Sequence, residues 1–167
     1  MATGLMQTLV PAIAMTDAAE AARASILTVT SCGYPPAELR YGENLVAIEY
    51  FNFHKDDADA GNPYNTTFGM KVISGAFQGY ASCEYDIKDF RIFLDQLCEL
   101  YAFQRDRVVL SEICYGSNVT LSMDRTGHVK VEGLIFDDAM EQSLTFAFEA
   151  DQSALPPFIS GLKNMIS

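Results

Sequence analysis

Gly75-Ala-Phe-Gln-Gly-Tyr-Ala-Ser-Cys-Glu-Tyr-Asp-Ile-Lys-Asp-Phe-Arg-Ile-Phe-Leu-Asp-Gln-Leu-Cys-Glu-Leu-Tyr101 reads as a strand running into one long amphipathic helix. Phe77, Gly79, Ala81, Cys83 and Tyr85 alternate with Gln78, Tyr80, Ser82 and Glu84, the pattern of a strand with one buried face. Asp86 suits an N-cap, with Asp89 following in the first turn. Ile87, Phe90, Leu94, Leu97 and Tyr101 recur at helical steps and define one face, which Phe93 and Leu100 widen. Because much of the remaining chain reads as strand, this helix is what the sheet is expected to pack against.

Working upstream, Leu45 to Phe53 forms a strand with Val46, Ile48 and Tyr50 on one face. The alternation slips at Phe51 and Phe53, which predicts a bulge or an end buried on both sides. His54 to Pro63 is a polar loop, and Tyr64 to Ile73 alternates again. Ser74-Gly75 leaves a tight link to the next strand, a hairpin. Residues 1–43 read as an N-terminal arm, with a helix-prone run at 17–24 and a short strand at 26–30.

Downstream, Arg105 to Tyr115 is a strand, turned by Gly116-Ser117. Val119, Leu121 and Met123 continue it, and Asp124-Arg-Thr-Gly127 is a hairpin turn. Val129, Val131 and Ile135 lie beyond that turn, followed by an acidic loop and the regular alternation of Ser143 to Glu149. Asp151 or Ser153 caps a closing helix that carries Pro156-Pro157 in its first turn and buries Leu155, Ile159, Leu162 and Ile166. The fold class is therefore α+β. A curved antiparallel sheet of about six or seven strands packs against the central helix and a C-terminal helix. Residues 44–167 form a single domain, and no internal repeat is visible.

The net charge of −11 argues against direct contact with nucleic acid or an anionic membrane surface, which call for clustered Lys and Arg. It favours a basic protein partner, or serves solubility alone. Cys32, Cys83, Cys98 and Cys114 have no short ligand spacing and read as free thiols of a reducing compartment. The first fifteen residues lack Lys or Arg ahead of their apolar run, which Pro11 interrupts, so they are not expected to act as a signal peptide. The expected location is the cytoplasm.

The chain has no G-x-S-x-G elbow, P-loop or dinucleotide fingerprint, and no cofactor or metal is expected. Its two histidines are His54, beside Asp57 and Asp59, and His128, on an outward strand face. Either suits acid–base chemistry, as in a small hydrolase built on the His54 loop, but a solvated surface group is the far commoner role for a histidine. Asp57-Ala-Asp59-Ala-Gly61 fails the EF-hand spacing. Two acidic clusters remain, Asp56/Asp57/Asp59 and Asp137/Asp138/Glu141. Together they form a negative patch for a basic partner if the fold unites them; otherwise they are two solvated loops. Tyr50, Phe51, Tyr64 and Tyr80 are aromatic anchors for such a partner or packing residues.

From about residue 44 onward the chain resembles the WapI-type immunity proteins of bacterial polymorphic and contact-dependent toxin systems. The resemblance rests on Val72, Gly75-x-Phe77-x-Gly79, Asp86, Phe90, Leu94 and Leu97. It continues in Leu121-x-x-Asp124-x-x-Gly127-x-Val129-x-Val131-x-Gly133-Leu134 and closes in Leu144-x-Phe146-x-Phe148-x-x-Asp151-Gln152-x-x-Leu155 with Phe158. The family's Asp-Ala-Asn-Trp-like segment is echoed as Asp59-Ala-Gly-Asn-Pro-Tyr-Asn65, and the chain has no tryptophan. The resemblance implies a binding protein, not an enzyme, that occludes a cognate toxin; the acidity of the chain agrees with a basic toxin, nucleases being one such class. Asp56, Asp57, Asp59, Tyr64, Asp137, Asp138 and Glu141 are then the expected contact residues. An adaptor or chaperone for a secreted effector is the alternative.

Overall fold

Apolar alternation between short turns builds strands, and among the described residues two runs of four strands each end in a helix. The computed structural model describes residues 33–167. The expected helix at 17–24, the strand at 26–30 and Cys32 lie outside the described residues. Strands β1 (Ala37–Tyr41), β2 (Asn44–Phe53), β3 (Thr66–Ser74) and β4 (Phe77–Tyr85) pair antiparallel in chain order. Helix α1 (Lys55–Asp59) interrupts the β2–β3 link, where the sequence suggested only a loop. Helix α2 (Ile87–Tyr101) leads to β5 (Arg107–Ser111), β6 (Asn118–Met123), β7 (His128–Phe136) and β8 (Ser143–Asp151), again antiparallel in chain order. A 3₁₀ turn, Gln152–Ala154, opens α3 (Leu155–Met165).

The described residues thus hold eight strands in two four-stranded sheets, a correction to the single curved sheet expected. The long helix α2 separates β4 from β5, and among the described residues no strand of one sheet pairs with a strand of the other. Four strands and a helix occur twice, although the sequence shows no repeat. Turn positions and alternation define the unit, not shared residues. The additional strand is β1, within the stretch read as an arm, where Ala37 and Leu39 are fully buried.

Helix α2 forms as its sequence dictates. The Asp86 carboxylate accepts the Lys88 N–H at 2.9 Å, satisfying one of the free amides of the first turn. Ile87, Phe90, Phe93, Leu94, Leu97 and Leu100 are buried. Tyr101, expected on the same stripe, is exposed where the helix ends. Phe90 closes on sheet residues, with ring centroids 5.0 Å from Phe51 and 5.5 Å from Phe68, and Phe68 lies 5.1 Å from Tyr85. These aromatic contacts join β2, β3, β4 and α2 in one core.

The expected bulge is present. Glu49 faces Gly69 and Asn52 faces Thr67, so Tyr50 and Phe51 together oppose Phe68. Tyr50 adopts a positive φ of 54°. The extra residue turns Tyr50 outward and Phe51 into the core, which corrects the placing of Tyr50 on the face of Val46 and Ile48 and makes Phe51 a packing residue. Phe77, assigned to the buried face, is exposed beside the β3–β4 hairpin. Helix α3 lies close on β1: a Cβ on Gly161 would stand 2.8 Å from the Ala37 Cα. Only glycine permits this approach.

Candidate partner-binding surface

The first acidic loop is stapled by Asn65. This buried residue accepts the Ile87 N–H at 2.8 Å and the Thr66 hydroxyl at 3.0 Å, and donates to the Asn62 carbonyl at 2.7 Å. Within the loop, Asp59 pairs with Lys55 at 3.8 Å, one turn apart, and Asp57 accepts a long hydrogen bond from Asn62. Asp56 and Tyr64 are exposed on the same loop. The His54 ring meets Asn52, with Nε2 and Nδ2 3.1 Å apart, not Asp57 or Asp59.

The second acidic loop is the β7–β8 turn. The Asp137 carboxylate accepts the Gln142 N–H at 3.0 Å, and the Asp137 carbonyl accepts the Met140 N–H at 2.9 Å. Met140 sits at a positive φ of 55° with its side chain exposed. Asp138 reaches out of the turn to β4, where it accepts the Ser82 N–H at 3.2 Å. Glu141 is exposed.

Tyr80 lies alongside. Its ring covers Gly69, so that a Cβ on Gly69 would collide with the Tyr80 hydroxyl. Partial burial pushes the Tyr80 hydroxyl up to about 12, helped by the negative charges of Glu49 and Asp138 and by neighbouring Tyr50. A cleft of about 270 Å³ opens between β4 and the β7–β8 turn, lined by Gln78, Gly79, Tyr80, Ile135, Asp137 and Leu144 among others.

The structure therefore gathers Asp137, Asp138 and Tyr80 with Tyr50 and Glu49. Asp56, Asp57, Asp59 and Tyr64 form a separate loop, and no hydrogen bond or ion pair among the described residues joins the two. Sequence reading missed Glu49 and Met140. Glu49 carried no signal beyond its outward place in β2. Met140 carried none beyond being an apolar residue in an acidic loop.

A third carboxylate holds the β5–β6 link together. Buried Glu112 accepts backbone N–H groups from Cys114 at 2.7 Å, Tyr115 at 2.5 Å and Gly116 at 3.0 Å. The Cys114 thiol donates to Glu84 at 2.8 Å, and this bond chiefly raises its pKa to about 11. Among the described residues, no three His, Cys, Asp or Glu side chains are grouped to hold a metal ion, and no helix is long and apolar enough to cross a membrane. His128 lies on the outward face of β7, lining a shallow groove with Asp124 and Lys130.

Fold and surface together define an α+β domain of two antiparallel meanders, with an acidic and aromatic patch where the second meets the first. A family model described as the immunity protein WapI-like family matches residues 40–167, and the chain belongs to that family. Comparison with curated proteins finds no match. Among solved structures, the chain is similar to one from "Crystal structures of trypanosoma bruciei MRP1/MRP2", with a TM-score of 0.46 and 10% identity over 89% of this chain and 90% of that one.

Proposed function

We propose that this protein is a cytoplasmic immunity protein that binds a cognate bacterial toxin and neutralises it by occlusion, not by catalysis. The family match over residues 40–167 carries this reading. The net charge of −11 supports a basic toxin, such as a nuclease domain whose own site must attract phosphate. Long-range attraction speeds encounter, and aromatic contacts hold the complex once formed. In this reading the acidic loops at Asp56–Asp59 and Asp137–Glu141 steer the toxin, and exposed tyrosines such as Tyr64 and Tyr80 contact it.

The test is capture from the native host at low salt, mass spectrometry of the bound partner, and expression of that partner with and without this chain. A partner that arrests growth alone and is harmless when co-expressed supports neutralisation. A partner that stays fully active when bound overturns it in favour of an adaptor or chaperone. Recovery of no stoichiometric protein partner also overturns it.

A further inference from the structure

We infer that the cleft between β4 and the β7–β8 turn is the contact subsite for the partner and that it takes an arginine side chain; the inference rests on the immunity reading only for the partner's identity. The first observation is an open strand edge. The Ser82 N–H points away from β3, to Asp138, and the Glu84 carbonyl points the same way, to the Ile113 N–H. In an antiparallel pair this direction repeats every second residue. The N–H and C=O groups of Gln78 and Tyr80 therefore also face the cleft, and among the described residues no backbone group pairs with them there. Exposed strand-edge carbonyls are acceptors awaiting a donor.

The second observation is charge. Asp137 lines the turn side of the cleft, Asp138 lies beside it on the Ser82 N–H, and Glu49 adds to the negative field at Tyr80. Ser82 engages one oxygen of Asp138; the other accepts no hydrogen bond among the described residues. The third is the half-exposed ring of Tyr80, a surface on which a cation is attracted. The two edge carbonyls, carboxylates at one side and an aromatic ring match a planar fork of donors better than a point charge. Lys71, in register with Tyr80, opposes any incoming cation and is the counterweight on this face.

Met140, on the same turn, and Tyr50, a neighbour of Tyr80, are also exposed, residue types enriched at interface centres. The occupant is thus an arginine presented by the surface of a basic protein.

The test uses the full chain, ¹⁵N-labelled, titrated with a short capped peptide containing arginine and, separately, with its lysine counterpart. Shifts centred on Gln78, Tyr80, Ser82 and the β7–β8 turn, with arginine binding more tightly, support the inference. Asp138→Asn, which keeps an oxygen for the Ser82 N–H, is expected to weaken peptide binding about tenfold with the rest of the spectrum unchanged. Asp95→Asn, at an exposed carboxylate of α2, is expected to change it less than about twofold, since exposed charges contribute little. Shifts centred on the α1 loop, equal binding of the lysine peptide, or no binding overturn it. A toxin captured and neutralised equally by the Asp138→Asn variant would sink the arginine site and leave the immunity reading intact. Peptide binding in the cleft with no toxin captured would do the reverse.

Discussion

The side-chain oxygen of Asn65 accepts the Ile87 N–H at 2.8 Å, so the loop bearing Asp56, Asp57 and Asp59 is fastened to the first turn of α2. One buried amide thus serves as a helix cap, a loop staple and a partner for Thr66. Asn65→Ala removes all three bonds and leaves the buried Ile87 amide without an acceptor. Stability is expected to fall by about 1–3 kcal/mol. Urea unfolding should show a lower midpoint at an unchanged slope. Asn65→Asp keeps the acceptor for Ile87 but turns an oxygen on the Asn62 carbonyl in a buried site, so it should be destabilising as well.

Two glycines predict opposite outcomes for the same substitution. At Gly161 an added Cβ meets the Ala37 backbone, with its Cα 2.8 Å away. Neither α3 nor β1 is free to yield, so Gly161→Ala is expected to cost about 1–3 kcal/mol through overpacking. At Gly69 the obstacle is the half-exposed ring of Tyr80, which has room to swing outward. Gly69→Ala should leave the unfolding midpoint nearly unchanged while displacing the ring. The readout is the Tyr80 hydroxyl, followed by tyrosinate absorbance, which should fall from about 12 toward the ordinary 10.0.

These pairs also mark how far sequence reading reaches. Helix α2 was legible because Asp86 and the stripe from Ile87 to Leu100 are local signals. The slip at Phe51 announced the bulge for the same reason. The division into two sheets was not legible, because whether β4 pairs with a strand beyond α2 is decided by contacts distant in sequence. β1 follows Pro35-Pro36 and is only five residues long, and its burial comes from the docking of α3 on Ala37. The acidic loops were visible as clusters. The juxtaposition of Asp138 with β4 was not, since it depends on a bond to Ser82 across 56 positions.

Alkaline pH should weaken the fold in a defined window. The folded state holds the Tyr80 proton more tightly than the unfolded chain does, with a value raised from 10.0 to about 12. Burial likewise pushes the Cys83 thiol from 9.0 up to about 12, and it raises the hydroxyl of Tyr85, which is buried with no hydrogen-bond partner among the described residues. Above the ordinary values the unfolded chain has lost protons that the native state retains, so stability falls as pH rises. The fall should begin near 9.0 with Cys83, steepen beyond 10.0 and approach completion for these two groups near 12. Urea midpoints across this range in wild type, Tyr80→Phe and Cys83→Ala would measure it, and each variant should flatten the slope. A midpoint independent of pH over the window would contradict the assignment.

Cys114 is an exposed thiol that should nevertheless react slowly. Its Sγ donates to the Glu84 carboxylate at 2.8 Å, and losing that proton would place two negative charges side by side. The hydrogen bond, reinforced by Glu84 and Glu112, raises the thiol from 9.0 to about 11. Since the thiolate is the attacking species, alkylation by iodoacetamide at neutral pH is expected to be much slower than for an ordinary exposed cysteine. The rate should climb with a midpoint near 11 when the modified peptide is followed by mass spectrometry, which separates Cys114 from the other cysteines. Glu84→Gln removes the charge while keeping an amide oxygen as acceptor. It should lower the midpoint toward 9.0 and speed the reaction at neutral pH. An unchanged midpoint in that variant would mean that the carboxylate does not govern the thiol. The loop from Glu112 to Gly116 would then have to restrict access by its shape.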